Sequence, residues 1–290
     1  IQVDAGGEVT YHGKLDTRGR NGGDVVSVGN GNLVAAGPQA VIWTSGRTSD
    51  GMVSLSHRGD ISVYSVFTGG GPVQLDATGA VHLHGRIETR GASGGTITST
   101  GQEFVSDNGA RLNSGGDVQL NHSGIVRIGE AVITNGNNFV SVGTSSFTTV
   151  DVGAQISTRG GSVSLNHTGP VQLGGRLSTG GGPLHLTFHV QAGLSGPIAS
   201  FARHLYLPDG STITVDMQNQ PLQGFTGGDA SVIRNAIVLP ALSGSVPASI
   251  GVTGTHPSDD SLIAALVPSE SGDPGFDLRI AATDAAFAAL

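Results

Sequence analysis

The sequence predicts an all-β fold, a right-handed parallel β-helix (solenoid) of about eight regular coils followed by a less regular β-rich C-terminal region. Three observations predict it: a recurring glycine-rich unit, alternation of apolar and polar residues inside each unit, and a composition hostile to helices. Glycine supplies 48 of the 290 residues and charged residues only 12%. A glycine in a helix interior costs about 1 kcal/mol relative to alanine, while the abundant β-branched residues favour strands.

The units align on their glycines. GPVQLDATGAVHLHGRIETRG begins at Gly71, GDVQLNHSGIVRIGEAVITNG at Gly116 and GSVSLNHTGPVQLGGRLSTGG at Gly161. Others begin at Gly23, Gly51, Gly95 and Asn137, and Ile1–Gly19 matches Val73–Gly91 position for position, which makes eight coils in Ile1 to about Gly181.

Within a coil the elements follow in order. A strand of the form V-x-L opens it, a short turn ending in Gly follows, then x-V-x-L-x-G-x-I-x-T, and a second turn, often T-R-G, closes it. The period-2 spacing puts Val118, Leu120, Val126 and Ile128 on one buried side. Such short strands cannot enclose a core alone, and stacked units bury a continuous column instead. Leu120 and Leu165 are therefore expected to point inward, while Thr158, in a T-R-G turn, is expected to face solvent and tolerate a charge. Right-handedness follows from the handedness of parallel crossovers, and eight coils at about 4.8 Å each give a rod of roughly 40 Å.

The repeat domain is read as residues 1–186 and an irregular β-rich continuation or cap as residues 187–290. The first 186 residues hold 4 Pro and 37 Gly, the last 104 hold 8 Pro and 11 Gly. Segments such as STITVDM (Ser211–Met217) and DLRIAA still alternate like strands, whereas GTHPSDDS and PSESGDPG are turn chemistry. The closing ATDAAFAAL reads as a short helix or a docking strand. Such a region would cover the end of the column and its strand edge.

The formal net charge is −8, with Lys14 the single lysine, and no stretch concentrates positive charge, which argues against a nucleic-acid partner. No apolar run reaches the ~18 residues of a membrane span, so no membrane insertion is expected. The absence of cysteine excludes disulfides and thiolate metal sites.

The pattern GGxVxLNHxGxVxLxGxLxTxGG at Gly160–Gly181 resembles the haemagglutinin repeats of filamentous-haemagglutinin-like exoproteins, the adhesins exported by two-partner secretion. The likeness covers about Ile1–Leu186. It implies a β-helical rod at the bacterial cell surface or outside the cell, mediating attachment or aggregation, with a host-cell receptor or glycan as partner. The secretion domains of such proteins carry an Asn-Pro motif, and this chain has none. With the mid-coil start at Ile1, that reads as a piece of something longer, whose N-terminal face would expose an apolar edge and associate end to end. The alternative function is a filament or matrix subunit built by that stacking.

Catalysis and cofactors are not expected. Polysaccharide-active β-helices need paired carboxylates or clustered bases in a cleft. Asp16 and Glu88 share a repeat position but lie three coils apart, about 14 Å, and Asp259-Asp260 sit in a Ser/Pro-rich loop. His57, His122 and His167 share a repeat position with Ala77, Gly101 and Gly143 between them. That leaves His122 and His167 about 10 Å apart, too far for one zinc without other ligands. His82 and His84 share one outward face without a third ligand. Thr96–Thr98 reads T-I-T, but its neighbours do not repeat it. The remaining motif is Arg58-Gly59-Asp60, a possible receptor-binding tripeptide. In the repeat frame its Gly is already required by the turn, and Arg58 and Asp60 fill the variable positions.

Overall fold

A computed structural model describes residues 1–91, 94–190, 197–216, 230–238, 242–244, 251–253, 263–269 and 275–281. Among them there is no helix, and the chain winds as parallel stacked coils with three faces. Face A takes the first strand of every coil, from Gln2–Ala5 through Val25–Gly29, Val53–His57 and their successors to Val163–His167. It then runs on through Leu184–His189, Thr212–Asp216 and Gly251–Thr253. Face B runs from Val9–Tyr11 to Ala199–Phe201, and face C from Lys14–Asp16 to Arg176–Ser178. The strands Ile61–Phe67 and Val81–Glu88 bend through a corner and serve both B and C, with a register break between Val63 and Ser65.

Register is kept from coil to coil. On face A, Val25, Val53, Val73, Ile97, Val118, Phe139, Val163 and Leu184 lie one above the next, each buried. On face C the column is Ile42, Val66, Ile87, Leu112, Val132 and Ile156, ending in a half-buried Leu177. Leu120 and Leu165 point inward as expected. Full burial of a side chain of this size contributes about 1.5–3 kcal/mol, so the apolar column is the main source of stability.

One expectation is overturned. Thr158 does not face solvent: it is fully buried, and its hydroxyl donates to the carbonyls of Gly161 and, at 3.1 Å, Thr179. The same inward hydroxyl recurs at Thr44, Thr68, Thr89, Ser114 and Thr134, bonded to Gly51, Gly71, Gly95, Gly95 and Asn137 carbonyls respectively. The corner between faces C and A turns its carbonyls inward, away from water, and a threonine, or Ser114 in its coil, satisfies one. The T-R-G signature marks that internal ladder.

Past the regular coils, Ala230–Val238 continues face B by pairing Ile237 and Val238 in parallel with Ala199 and Ser200. Its length pairs antiparallel with Gly275–Ala281, which pairs antiparallel with Ile263–Pro268. This less regular unit departs from the parallel pattern while staying joined to the ladder. Asp259-Asp260 and residues 282–290 lie outside the described residues.

Candidate functional site

The three aligned histidines are interior groups. His57, His122 and His167 are each at most 3% exposed. Each imidazole Nε2 meets a serine hydroxyl of the preceding coil: Ser27 at 3.0 Å, Ser99 at 3.1 Å and Ser141 at 2.9 Å. Nδ1 of His57 and of His167 lies 3.2 Å from the carbonyls of Gly31 and Ser145, whereas Nδ1 of His122 has no hydrogen-bond partner. A neutral imidazole protonated on Nδ1 satisfies the paired cases, donating to the carbonyl and accepting from serine. Burial pushes His122 and His167 down to about 4, and the charge of His167 adds to the effect on His122. Burial likewise lowers His57.

Space for each ring comes from the coil before it. Gly29 pairs with His57, Gly101 with His122 and Gly143 with His167. A Cβ on Gly29 would lie 2.7 Å from the His57 ring. The structural motif is thus S-x-G in one coil beneath L-x-H in the next. Alignment found the histidines and the small residues between them but not the inward serines, whose sequence signal was the threefold pairing of S-x-G with L-x-H.

His82 and His84 do share an outward face, with rings stacked 6.5 Å apart. His84 is engaged by Asp107 at 2.8 Å and Ser62 at 3.0 Å. Among the described residues, no group of three or more His, Asp or Glu side chains is arranged to hold a metal ion.

The Arg58-Gly59-Asp60 turn is tied into the stack. A Cβ on Gly59 would lie 2.0 Å from Asn32 Oδ1. The Asp60 backbone N–H donates to that same oxygen at 2.9 Å, and the Asp60 carboxylate in turn accepts the Ala80 N–H of the next coil at 2.8 Å. Asp60 therefore does the cap's work that Asn32 does one coil earlier. Arg58 is exposed, and its guanidinium has no partner among the described residues.

Asp16 and Glu88 stand three strands apart on face C, separated by Trp43 and Phe67. Each carboxylate has its own arginine. Arg18 grips Asp16 through bonds of 2.9 and 3.1 Å, which hold that carboxyl at about 2, and Arg86 lies 3.9 Å from Glu88. The two guanidiniums sandwich an aromatic pair: Arg18 sits 3.9 Å over Trp43, Trp43 lies 5.2 Å from Phe67, and Arg86 sits 4.8 Å over Phe67. These contacts cover the ring faces, so the groove of about 490 Å³ beside them, lined also by Lys14, Val41 and Arg90, offers ring edges and charges.

A second and larger cleft, of about 760 Å³, opens where face C ends. Arg176–Ser178 pairs with Gln155–Ser157 on one side and with no described strand on the other. The following Leu205–Leu207 pairs forward with Leu242–Gly244 instead. Arg176, Arg203, His204 and Tyr206 line the gap with Ser178, Thr179 and Gln155, and no carboxylate is among its lining side chains in the described residues.

No family model, curated protein or solved structure matches this chain. The parallel β-solenoid built of repeats is accordingly what the molecule itself establishes.

Proposed function

We propose that this chain is a non-catalytic segment of a secreted bacterial surface protein, an adhesin-type rod that attaches through its outer faces. The observation that carries the reading is the outer side of face A. There, Gln74, Thr98 and Gln119 form one ladder, and Asp76, Thr100 and Asn121 another, stacked coil on coil; Val140 and Val142 interrupt both for one coil before Ser164 and Asn166 resume them. Hydroxyl and amide groups repeated at strand spacing suit hydrogen bonding to hydroxyl-rich surfaces such as glycans. Support also comes from the carboxylates on face C. A carboxyl held at about 2 by Arg18 is a poor general acid at neutral pH, and its counterpart Glu88 is three strands away. The resemblance of the repeat to the haemagglutinin-repeat exoproteins belongs to the same reading.

The test is adhesion of the purified chain to a glycan array and to host cells, with negative-stain imaging alongside. The expected result is saturable glycan binding by short rods. Long unbranched fibres with no glycan retained would replace this reading by a filament subunit, and hydrolysis or elimination products from polysaccharides would replace it by an enzyme.

A further inference from the structure

The cleft at the end of face C has a lining unlike the rest of the surface. The protein carries a net charge of −8 and only 14 basic side chains. Two of them, Arg176 and Arg203, meet in this one cleft together with His204, and among the described residues no carboxylate lines it. Tyr206 is 58% exposed and pairs with no other ring among the described residues. The strand edge of Arg176–Ser178 that faces away from Gln155–Ser157 has no strand partner among the described residues. In a parallel ladder, bonds to the two neighbours alternate along the strand. Arg176 N–H and the Ser178 carbonyl bond back to Ala154 and Thr158, so the Leu177 backbone groups are the ones directed to the open side.

We propose that this cleft binds an acidic saccharide, with the arginines on its anionic group, the open backbone edge and the Ser178, Thr179 and Gln155 side chains on its hydroxyls, and Tyr206 against a sugar face. A guanidinium fork matches a carboxylate through two parallel bonds, and an aromatic ring with an exposed face suits the apolar side of a pyranose. A sparsely charged saccharide, with at most one carboxylate per sugar, fits better than a densely sulfated one. Two arginines neutralise few charges, and the field of a chain at −8 opposes a strong polyanion. A peptide added to the strand edge is less suited, because strand addition gains specificity from pockets for alternate side chains, whereas this lining is mostly polar. The proposal rests on the glycan-attachment reading.

The experiment is calorimetric titration of the full chain with oligogalacturonate, with dextran, dextran sulfate and polyglutamate as parallel arms. Oligogalacturonate is expected to bind, more weakly as salt is raised, and dextran is expected not to bind. Arg176→Gln and Arg203→Gln should each weaken binding roughly 10-fold, and Tyr206→Ser should weaken it with unchanged charge, all three keeping the wild-type melting temperature. Tighter binding of dextran sulfate or of polyglutamate, no binding of oligogalacturonate at millimolar concentration, or binding indifferent to both arginines would each overturn the site. Glycan-array binding that survives Arg176→Gln and Arg203→Gln would leave the attachment reading standing while removing this cleft from it. An array with no retained glycan would remove both.

Discussion

The coils up to Arg176–Ser178 and the stretch that follows are made from the same alternating strands, yet they stack differently. In the regular coils, corners between faces C and A are tied to the next by a backbone bond from the corner threonine, as in Thr44 N–H to Phe67, Thr68 to Glu88, Thr89 to Asn113 and Thr158 to Ser178. Thr179 makes no such bond to Leu205–Leu207, and face C parts there while face A runs on from Val163–His167 through Leu184–His189 to Thr212–Asp216. The lesson is that the faces of a solenoid are separable. The apolar column is continuous along face A, but each corner needs its own polar zipper, and where the zipper stops a cleft opens without ending the rod.

The largest expected effect tests the buried zipper. Thr158→Asp should destabilise by several kcal/mol, comparable to Leu120→Asp, since either places an unpaired carboxylate in the interior. A melting temperature equal to wild type for Thr158→Asp would mean that the threonine ladder is not internal.

Acid comes next. An unfolded histidine titrates near 6.5, whereas His122 and His167 titrate at about 4 in the fold. The unfolded chain therefore binds more protons between those values. Stability from these two groups is complete above about pH 6.5, falls as pH drops toward 4, and changes no further below it, with a loss on the order of 3 kcal/mol per histidine. Urea unfolding at pH 7 and at pH 4.5 measures this, and a His122→Gln/His167→Gln variant should lose much of the difference. A variant as acid-sensitive as wild type would assign the effect to other groups.

Gly29→Ala probes how one coil makes room for the next. It should cost about 1–3 kcal/mol through the His57 ring. His57→Ala added to it should recover part of that cost, as Ala77 already occupies the equivalent place above His57. Strictly additive losses in denaturant unfolding would show that the ring and the glycine are not coupled.

The most direct comparison of the two regions uses one substitution in each. Thr158→Val should cost about 1–2 kcal/mol because two buried carbonyls lose a donor. Thr179→Val, at the last corner before the cleft, should cost about half as much or less. Equal costs would mean that the zipper continues past Thr179. The smallest effect is at the tripeptide. Asp60→Asn keeps an acceptor for the Ala80 N–H, as Asn32 does for Asp60, so stability should change by less than about 0.5 kcal/mol. Cells that spread on the wild type but not on this variant would make the carboxylate a receptor contact in addition to a cap.

Much of this architecture was legible in the residues. V-x-L and x-V-x-L placed Leu120, Leu165 and the whole apolar column correctly, because the alternation of a strand is a local property. Thr158 was misplaced for a related reason: a polar residue in a Gly-rich turn reads as solvent-facing unless the carbonyls it must satisfy are known. The serines beneath the histidines were missed because Ser27, Ser99 and Ser141 occupy positions filled by leucine in the coils they pair with, Leu55, Leu120 and Leu165. The cleft was not foreseen, since Arg176 and Arg203 look unrelated along the chain.

By itself the sequence determined the strand character, the period, the eight-coil stack and the inward side of each strand, all of which repeat within every unit of about 20 residues. Only the tertiary structure decided which hydroxyls turn inward at the corners, which histidine rests on which glycine, and where face C parts to bring Arg176, Arg203 and Tyr206 around one cleft. The histidine contacts and the cleft depend on partners one coil away, 20 or more residues along the chain, as for Ser27 with His57. The corner threonines instead meet carbonyls three to seven residues on, in a turn whose inward carbonyls only the stacked fold defines. The pattern inside a unit specifies its own strands, whereas complementarity between successive units arises only when they are stacked.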